Sequence, residues 1–456
     1  MRLTVLMLIV LAGLFLRVDQ AWQGAEQNMP DSAAYERIAR GLSQHGEFEQ
    51  RGLSTPAHPQ PASNYTPGLP LLTAGIFELA GTDSVQLARL VLALIATAAI
   101  PISWRLGSRL GGDVAGISAA AITAFYPTLI SDSGMLLTEP LTGTLIAGAL
   151  LAVLWARERT SLLAWILPGV LLGLTTLVRP DALLISALLA LVLFGLGLRA
   201  ALRPVAVMSA ALVLVIAPLM ARDITRTGRL VPLSTGGGQT LFTGSYVASG
   251  GNPIDVMPRV LSSNPSVSAR IKHQNRRSGE GPASITPERV FTLLAARRHP
   301  GEPTDAALSK MGWDSYASQL KSGPVALAGY LLSKAGRIWW RGRWQLIDSL
   351  PGQILHRGVI FAVLTGLITL AIRRRPEFWI VGAPLLSATV IGAVLVASPR
   401  RVLALWPVVG AVAGVGLAGM VQLALQARIL RRPDGSHSLT APDVRQQQPD
   451  PVPLRQ

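Results

Sequence analysis

Cysteine is absent from the 456-residue sequence, which excludes disulfide bonds, thiolate metal sites and cysteine nucleophiles. Charge is scarce too, because only 14% of the residues are charged, whereas 50% are apolar and the mean hydropathy is +0.42. A water-soluble domain of this length would struggle to stay in solution with that balance. The six histidines are scattered without a metal-ligand spacing such as HExxH. These absences point away from a soluble protein and from a dedicated metal site.

Apolar residues occur in long uninterrupted blocks, and a block of about 16 to 23 residues can cross a hydrocarbon core as a helix. The first block, 3–16, resembles a signal peptide, but no small-residue cleavage site follows it and many further blocks come after it. We therefore predict an all-α polytopic membrane protein with about ten transmembrane helices. The predicted spans are 3–18, 85–104, 114–130, 136–156, 162–178, 182–198, 204–220, 354–372, 377–397 and 402–423.

The arginines between these spans indicate an orientation. Alternate short loops are rich in arginine, whereas the other short loops hold only Arg179, Arg400 and Arg401. By the positive-inside rule the rich loops are cytoplasmic, so both termini are predicted to lie in the cytoplasm of a bacterial inner membrane. The formal net charge of +16 is explained by these loops, and no nucleic-acid partner is expected. The arginine-rich loops contain Arg105, Arg109, Arg157, Arg159, Arg199, Arg203, Arg373, Arg374 and Arg375.

This topology divides the chain into four parts. An N-terminal transmembrane module, 1–220, contains a long first external loop with juxtamembrane helices. A large external region, 221–350, follows, and its moderately apolar stretch ends in paired tryptophans typical of an interfacial helix. The last three spans form a C-terminal module, and a polar, proline-rich tail is expected to be disordered. In numbers, the first external loop is 19–84, the interfacial helix 323–340, the C-terminal module 351–425 and the tail 426–456.

Charged residues at the membrane boundary recur on the predicted external face. Because charge at a membrane boundary is costly, a recurrence on one face favours a functional site. Carboxylates and arginines gathered there could combine a carboxylate with a phosphate-binding cluster in one site. The residues concerned are Asp31, Asp132, Glu139, Arg179, Asp181, Arg222, Asp223, Arg400 and Arg401.

Three motifs on this face also have ordinary structural explanations. Asp31 is a good N-cap for the amphipathic helix that follows it, and capping alone would explain an aspartate there. The stretch Asn64 to Pro70 (NYTPGLP) is typical of a rigid turn. The glycines at 236–238 lack the lysine of a P-loop, so a tightly turning or flexible external loop is expected rather than a nucleotide site.

The order of these motifs resembles the membrane glycosyltransferases of the GT-C superfamily, in particular bacterial family-39-type enzymes. These are similar to protein O-mannosyltransferases and to the lipid A aminoarabinose transferase. The resemblance begins with PDSAAYERIARGL at 30–42 and TPGLPLL at 66–72. It continues with TEPL at 138–141 and LGLTTLVRPDALL at 172–184. It ends with APLMARDITRTGRLVPLSTGGGQTLFTG at 217–244 and SPRRVLALWP at 398–407.

The resemblance implies roles for individual residues. Asp31 matches the catalytic aspartate of the first loop, and Glu139 falls where relatives have a second acidic residue. Arginines are expected to bind the donor phosphate, namely Arg222, Arg400, Arg401 and Arg179, and Tyr35 and Tyr65 are expected in the substrate site. The chain departs from the family at Tyr65, where aminoarabinose transferases have an acidic metal ligand, and at Asp223 and Arg401, where asparagine and tyrosine are common. No basic residue precedes Gly68-Leu69, and no resident metal is predicted, although a divalent cation between Asp31 and a phosphate stays open.

The function expected from this resemblance is transfer of a sugar from a polyprenyl-phosphate donor to an acceptor hydroxyl, with inversion at the anomeric carbon. The acceptor is a lipid, a glycan or a protein, and membrane lipids surround the bundle. Two other classes stay open: a ligase or polymerase of lipid-linked oligosaccharides, and a transporter of polyprenyl-linked sugars. A transporter would place polar residues near the bilayer midplane, whereas these spans carry charge at their ends. A catalytically inactive scaffold is the fourth alternative.

Overall fold

A computed structural model describes residues 2–25, 29–46, 48, 65–227, 234, 236–278, 285–342 and 349–430, and within these ranges every regular element is a helix. Asn64, the side chain of Asp223 and the predicted tail beyond residue 430 lie outside this description. The helices of the first half are α1 (Arg2–Gln23), α2 (Pro30–His45), α3 (Gly68–Ala80), α4 (Val85–Phe125), α5 (Pro127–Ser131), α6 (Thr138–Ala156), α7 (Ile166–Val178), α8 (Ala182–Gly195) and α9 (Leu198–Thr227). Those of the second half are α10 (Gly237–Gly244), α11 (Pro253–Ser263), α12 (Pro265–Ser278), α13 (Pro287–Arg298), α14 (Thr304–Ser322), α15 (Pro324–Trp340), α16 (Leu350–Ile372), α17 (Glu377–Val394), α18 (Arg400–Leu403) and α19 (Trp406–Leu430).

The predicted all-α membrane fold is confirmed. In the described part of the chain, seven helices are long and apolar enough to cross a membrane: α1, α4, α6, α9, α16, α17 and α19. Each of the ten predicted spans is mostly helical, although 114–130 continues from α4 into α5 and 402–423 from α18 into α19. The segments 162–178 and 182–195 are shorter apolar helices, however, so the count of ten stays a prediction.

Helix α4 contains two of the predicted spans, because it folds back on itself at Gly112. This glycine has φ of 82°, a conformation that L side chains rarely adopt, and it turns the chain between two helical arms. Polar side chains then join the arms, since the Thr123 hydroxyl donates to Ser103 Oγ at 3.0 Å. The predicted break between residues 104 and 114 therefore corresponds to a tight hairpin.

The centre of the bundle is packed through glycines. A Cβ added to Gly414 of α19 would overlap the Ala115 carbonyl oxygen of α4, and one on Gly416 would overlap the Ala362 carbonyl oxygen of α16. Small residues let membrane helices approach to backbone contact, where van der Waals packing stabilises them without help from the hydrophobic effect. Helices α4, α16 and α19 consequently form a tightly joined group.

The two ends of the bundle carry different charged groups. At one end Arg2 forms an ion pair with Asp113, and Arg109 forms one with Glu158. The opposite end of α1 reaches the 134 turn, where the Ala25 N–H donates to the Gly134 carbonyl at 3.2 Å. The residues predicted to face outward lie near this second end, at the beginning of α6 and in α18.

Helices α10 to α15 lie along the chain between the two groups of long apolar helices, and α10 to α14 have a core of their own. Val256, Phe291 and Leu308 are buried in it. The glycines at 236–238 were predicted as a loop, and that prediction was wrong, because α10 begins at Gly237. Gly238 allows the α14 backbone to come close, and its N–H donates to Asp305 Oδ1 at 2.7 Å.

The predicted interfacial segment 323–340 is the helix α15. It buries Leu327, Lys334 and Ile338 against the protein, whereas Val325 and Leu332 are exposed. An exposed apolar face on a helix of this length is typical of a helix at a membrane surface. Its placement in the interface stays a prediction.

Lys334 is fully buried, and its Nζ donates to the Gly244 carbonyl at 2.8 Å. The Tyr330 hydroxyl donates to the same oxygen at 2.8 Å, whereas the Tyr316 hydroxyl, 2.9 Å from it, lies closer to the Val394 carbonyl oxygen, at 2.6 Å. Burial, together with nearby Arg337 and Arg401, lowers the pKa of Lys334 to about 7. The folded state therefore binds this proton less tightly than the unfolded chain, whose lysine pKa is about 10.4.

We expect Lys334→Met to raise the melting temperature at pH 7, because methionine fills the space without a buried charge and the Gly244 carbonyl still accepts from the Tyr330 hydroxyl. A lowered folded-state pKa means that the wild type gains stability as pH rises from about 7 to about 10, while the variant gains nothing from this group. The difference between their melting temperatures should therefore shrink over that range. A constant difference would contradict the titration of Lys334.

Candidate active site

Asp31 lies in the first turn of α2, one residue after Pro30. The prediction that it is the N-cap was wrong: the N-cap is Met29, because proline suits the first helical position and moves the helix start upstream. A carboxylate in the first turn is stabilised by the helix dipole. Capping therefore does not account for Asp31, and its side chain stays 36% exposed.

Glu139 occupies the equivalent place in α6, and its side chain is completely buried. The two helix starts are tied together, because the Leu136 N–H donates to Ser32 Oγ at 3.0 Å. This bond joins the residue after Asp31 to a residue three positions before Glu139. The two carboxylates are thereby held at the same end of the bundle.

Arg400, at the start of α18, contacts both carboxylates. Its Nη1 donates to Asp31 Oδ2 and its Nε donates to Glu139 Oε1. Burial would lower the pKa of Arg400, but the two carboxylates outweigh burial and raise it well above its usual value. One guanidinium thus joins two helices that are distant in sequence.

A second arginine group lies beside the first. Arg179 Nε is 3.3 Å from Asp181 Oδ1, and Arg401 Nη1 donates to Asp181 Oδ2 at 2.9 Å. Arg179 Nη1 also lies 3.8 Å from Glu139 Oε1, which connects the two groups. Burial would raise the pKa of Asp181, but Arg179 and Arg401 lower it to about 2. Three carboxylates and three guanidiniums therefore form one continuous cluster.

The TPGL motif positions the first loop against this cluster. The Thr66 hydroxyl donates to the Val178 carbonyl at the end of α7, directly before Arg179. Gly68 touches the same turn so closely that a Cβ would lie 2.8 Å from the Leu177 carbonyl oxygen. The motif thus fixes the start of α3 against the end of α7.

Tyr35 and Tyr65 meet edge to face, with ring centroids 5.2 Å apart. Burial, and then Asp31, raises the pKa of both hydroxyls, that of Tyr65 to about 12. Both tyrosines therefore stay protonated at neutral pH and can donate hydrogen bonds. They lie beside Asp31, where the resemblance places the substrate.

Not every predicted residue joins the cluster. The Arg222 guanidinium lies 5.1 Å from the centroid of the Phe48 ring, and Phe48 packs on Ile38 of α2. Asp132 is buried in the turn before α6. Among the described residues no group of three or more histidine, aspartate or glutamate side chains could hold a metal ion. Asp181 was noted on this face but was not among the predicted site residues, although it pairs with two of the arginines.

An apolar cavity of about 840 Å³ lies between α8, α15, α16 and α17. Trp339, Arg337 and Arg341 line the end near the last turn of α15, whereas Leu367 and Phe378 line the region near the opposite ends of α16 and α17. The cavity therefore extends along most of a membrane-spanning helix. No motif in the sequence predicts it, because its walls come from segments that are far apart along the chain.

The chain is similar to known membrane glycosyltransferases in sequence over one segment and in fold over most of its length. Residues 58–221 match the family described as dolichyl-phosphate-mannose-protein mannosyltransferase. The archaeal oligosaccharyltransferase AglB from Archaeoglobus fulgidus, solved with an inhibitory peptide and a dolichol-phosphate, aligns with 95% of this chain at 16% identity and a TM-score of 0.53. An oligosaccharyltransferase from Archaeoglobus fulgidus tethered to an acceptor peptide aligns with 94% of this chain at 14% identity and a TM-score of 0.56. The resemblance to the GT-C superfamily is confirmed.

The GT-C likeness has limits in length and in sequence. This chain covers 52% and 51% of the two archaeal structures, so it spans about half their length. ArnT from Cupriavidus metallidurans bound to undecaprenyl phosphate aligns with 93% of this chain and 79% of its own, at 16% identity and a TM-score of 0.41. No curated protein sequence matches the chain. At these identities the two archaeal structures establish a GT-C-like fold.

Proposed function

We propose that this protein transfers a sugar from a polyprenyl-phosphate donor to an acceptor hydroxyl on the extracytoplasmic face of the membrane. The observation that carries the proposal is the convergence of a partly exposed carboxylate, Asp31, with three largely buried arginines at one end of the bundle. The match to a mannosyltransferase family over residues 58–221 supports lipid-linked sugar transfer in general. The sugar and the acceptor, whether lipid, glycan or protein, are left open by this chemistry.

The arginines suit the donor phosphate. Arg179, Arg400 and Arg401 keep 17%, 23% and 13% of their side-chain surface exposed, so each guanidinium is held in place yet reachable. Guanidinium groups bind phosphate through two parallel hydrogen bonds. Negative charge grows on the departing phosphate oxygen, and donors already in position stabilise this charge more in the transition state than in the ground state.

Exposure distinguishes the roles of the two carboxylates. Asp31 is 36% exposed and can reach an acceptor hydroxyl, whereas Glu139 is completely buried between two arginines. Asp31 therefore acts as the general base. Glu139, predicted as catalytic, instead positions Arg400 and Arg179.

Before the sugar is transferred, Arg400 must exchange one hydrogen-bonding partner. The donor phosphate takes the place of Asp31 on Arg400, which frees the carboxylate to accept a hydrogen bond from the acceptor hydroxyl. The acceptor oxygen then forms a bond to the anomeric carbon while its proton passes to Asp31. The bond from the anomeric carbon to the phosphate oxygen breaks, and its electron pair leaves with polyprenyl phosphate.

The apolar cavity suits the polyprenyl tail. It runs along helices α16 and α17, and Trp339 and the two arginines line its end near the last turn of α15, which is the outer end in the proposed orientation. A long isoprenoid chain gains roughly 0.8 kcal/mol for each CH₂ that it buries. AglB was solved in complex with a dolichol-phosphate, which is a lipid of the same chemical class.

We expect Gly382→Leu to weaken binding of a long-chain donor at least tenfold, because Gly382 lines the cavity and a Cβ there meets no atom within 4 Å. The leucine side chain would occupy cavity volume that the polyprenyl tail needs, without disturbing helix α17. Gly358→Leu is the control, since it lies on α16, is exposed and also has open space around it. Equal affinities of the two variants for undecaprenyl phosphate would contradict the assignment of the cavity.

The direct test of the proposed function is transfer of radiolabelled sugar in proteoliposomes from a polyprenyl-phosphate donor to added acceptors. Labelled product is expected only when donor and acceptor reach the face that carries Asp31. Movement of the intact donor between leaflets without transfer would instead support a transporter. Transfer of an oligosaccharide from a pyrophosphate carrier alone would support a ligase.

A further inference from the structure

His356, near the start of α16, is buried and has two hydrogen-bonding partners. Its Nε2 lies 2.7 Å from the Trp339 carbonyl oxygen, and its Nδ1 lies 2.8 Å from the Tyr126 hydroxyl. A carbonyl can only accept, so Nε2 carries the proton and Nδ1 accepts from the tyrosine. The two partners therefore fix both the tautomer and the orientation of the ring.

The ring also packs on the segment that carries the arginines. Trp406 is completely buried, and its ring centroid lies 3.9 Å from Tyr126 and 5.8 Å from His356, with which it is stacked. Trp406 follows Arg400 through consecutive turns, in which the Ala404 N–H donates to the Arg400 carbonyl and the Leu405 N–H donates to the Val402 carbonyl. The position of Trp406 is thus coupled to the position of α18.

The other partner of His356 belongs to the apolar cavity. The Trp339 carbonyl is in the last turn of α15, where helix carbonyls lack intrahelical donors. The Trp339 side chain lines the cavity, and its Nε1 donates to Thr389 Oγ1 of α17 at 2.9 Å. His356 is therefore in contact with the end of the cavity on one side and with the arginine segment on the other.

We infer that His356, together with Tyr126 and Trp406, is a positioning residue that holds Arg400 and Arg401 at a fixed distance from the end of the apolar cavity. This inference depends on the proposed function, because the two places must be occupied by the two ends of one molecule, a polyprenyl phosphate. A tail seated in the cavity then presents its phosphate to the arginines. Displacement of reacting groups by about 1 Å can cost on the order of a hundredfold in rate.

The test compares undecaprenyl phosphate with undecaprenol, which has the same tail and no phosphate. We expect the wild type to prefer the phosphate, and His356→Leu to lose most of this preference while it binds undecaprenol normally. Tyr126→Phe, which removes only the donor to Nδ1, should lose part of it. His356→Gln should recover much of it, because glutamine can still donate to the Trp339 carbonyl. Transfer should follow the same order, with a decrease of at least tenfold in His356→Leu.

Thr175→Val is the matched control, since Thr175 is equally buried but its hydroxyl donates only within its own helix, to the Leu171 carbonyl. It should keep the full preference. If His356→Leu fails to fold, Tyr126→Phe and His356→Gln carry the test. If folded His356→Leu keeps the wild-type preference for undecaprenyl phosphate, His356 has no positioning role. The same conclusion follows if Tyr126→Phe and His356→Gln both keep the preference at wild-type strength. A wild type without any preference for the phosphate would overturn the proposed function itself.

Discussion

Asp31→Asn is expected to abolish most sugar transfer while the protein stays folded and binds its lipid phosphate more tightly. An amide cannot take the proton of the acceptor hydroxyl, and loss of a positioned base typically costs about 10²- to 10⁴-fold in rate. Loss of the Asp31 charge removes about 0.3 to 1 kcal/mol of helix-dipole stabilisation and the partly exposed ion pair with Arg400, which keeps Glu139 as a partner, so the protein should stay folded. Tighter binding follows because Arg400 no longer has Asp31 as a competing partner.

Glu36→Gln provides the matched control for this change. Glu36 lies on the same helix, and its carboxylate pairs with Arg40 at 3.0 Å, away from the cluster. Both variants lose one carboxylate that pairs with an arginine, but only Asp31→Asn should affect transfer. Transfer within about threefold of wild type in folded Asp31→Asn would exclude a general-base role, for which the expected loss is at least 10²-fold.

Arg400→Gln is expected to lose both phosphate binding and transfer. A charge-assisted hydrogen bond is worth roughly 1.5 to 3 kcal/mol, which corresponds to about a 10- to 150-fold loss of affinity for undecaprenyl phosphate. Transfer should fall further, since the charge on the phosphate oxygen grows in the transition state. Arg400→Lys should recover only part, because one ammonium cannot contact Asp31 and Glu139 through separate nitrogens.

The stability of these variants needs its own control. Removing Arg400 leaves Glu139 completely buried with Arg179 at 3.8 Å, and breaking a buried pair typically costs about 3 to 5 kcal/mol. The double variant Arg400→Gln with Glu139→Gln should therefore melt higher than Arg400→Gln alone and still bind phosphate poorly. Arg109→Gln removes an arginine that pairs with Glu158 at the opposite end of the bundle and should keep wild-type binding. Normal phosphate binding by the double variant would show that Arg400 has no part in it.

The sequence predicted the helical segments well because apolar blocks of span length leave few alternatives to a helix in a bilayer. The predicted helix boundaries were less accurate where the backbone conformation depends on a single residue. Gly112 turned two predicted spans into a hairpin, and Pro30 moved the start of α2 ahead of Asp31. Both effects are local and can be explained by φ preferences.

The site was predictable only where charge and membrane boundary coincide. Asp31, Glu139, Arg179, Arg400 and Arg401 stood out because charge at a helix end near the bilayer is unusual. Which carboxylate is exposed could not be predicted, since burial of Glu139 depends on packing from α18, about 260 residues later. The roles of His356 and Trp406 could not be predicted either, because their contacts also join segments that are far apart in the sequence. An apolar helix with one histidine is consistent with many structures.

The glycine contacts between α4, α16 and α19 have a mechanical consequence. Backbones in van der Waals contact, as at Gly414 and Ala115, leave no space for adjustment, so this side of the bundle resists compression and sliding. The opposite side, with open space around Gly382, can yield. A bulky lipid should therefore enter and leave through elastic displacement of α17, while the stiff rear keeps the turn that follows α18 at a constant height in the membrane.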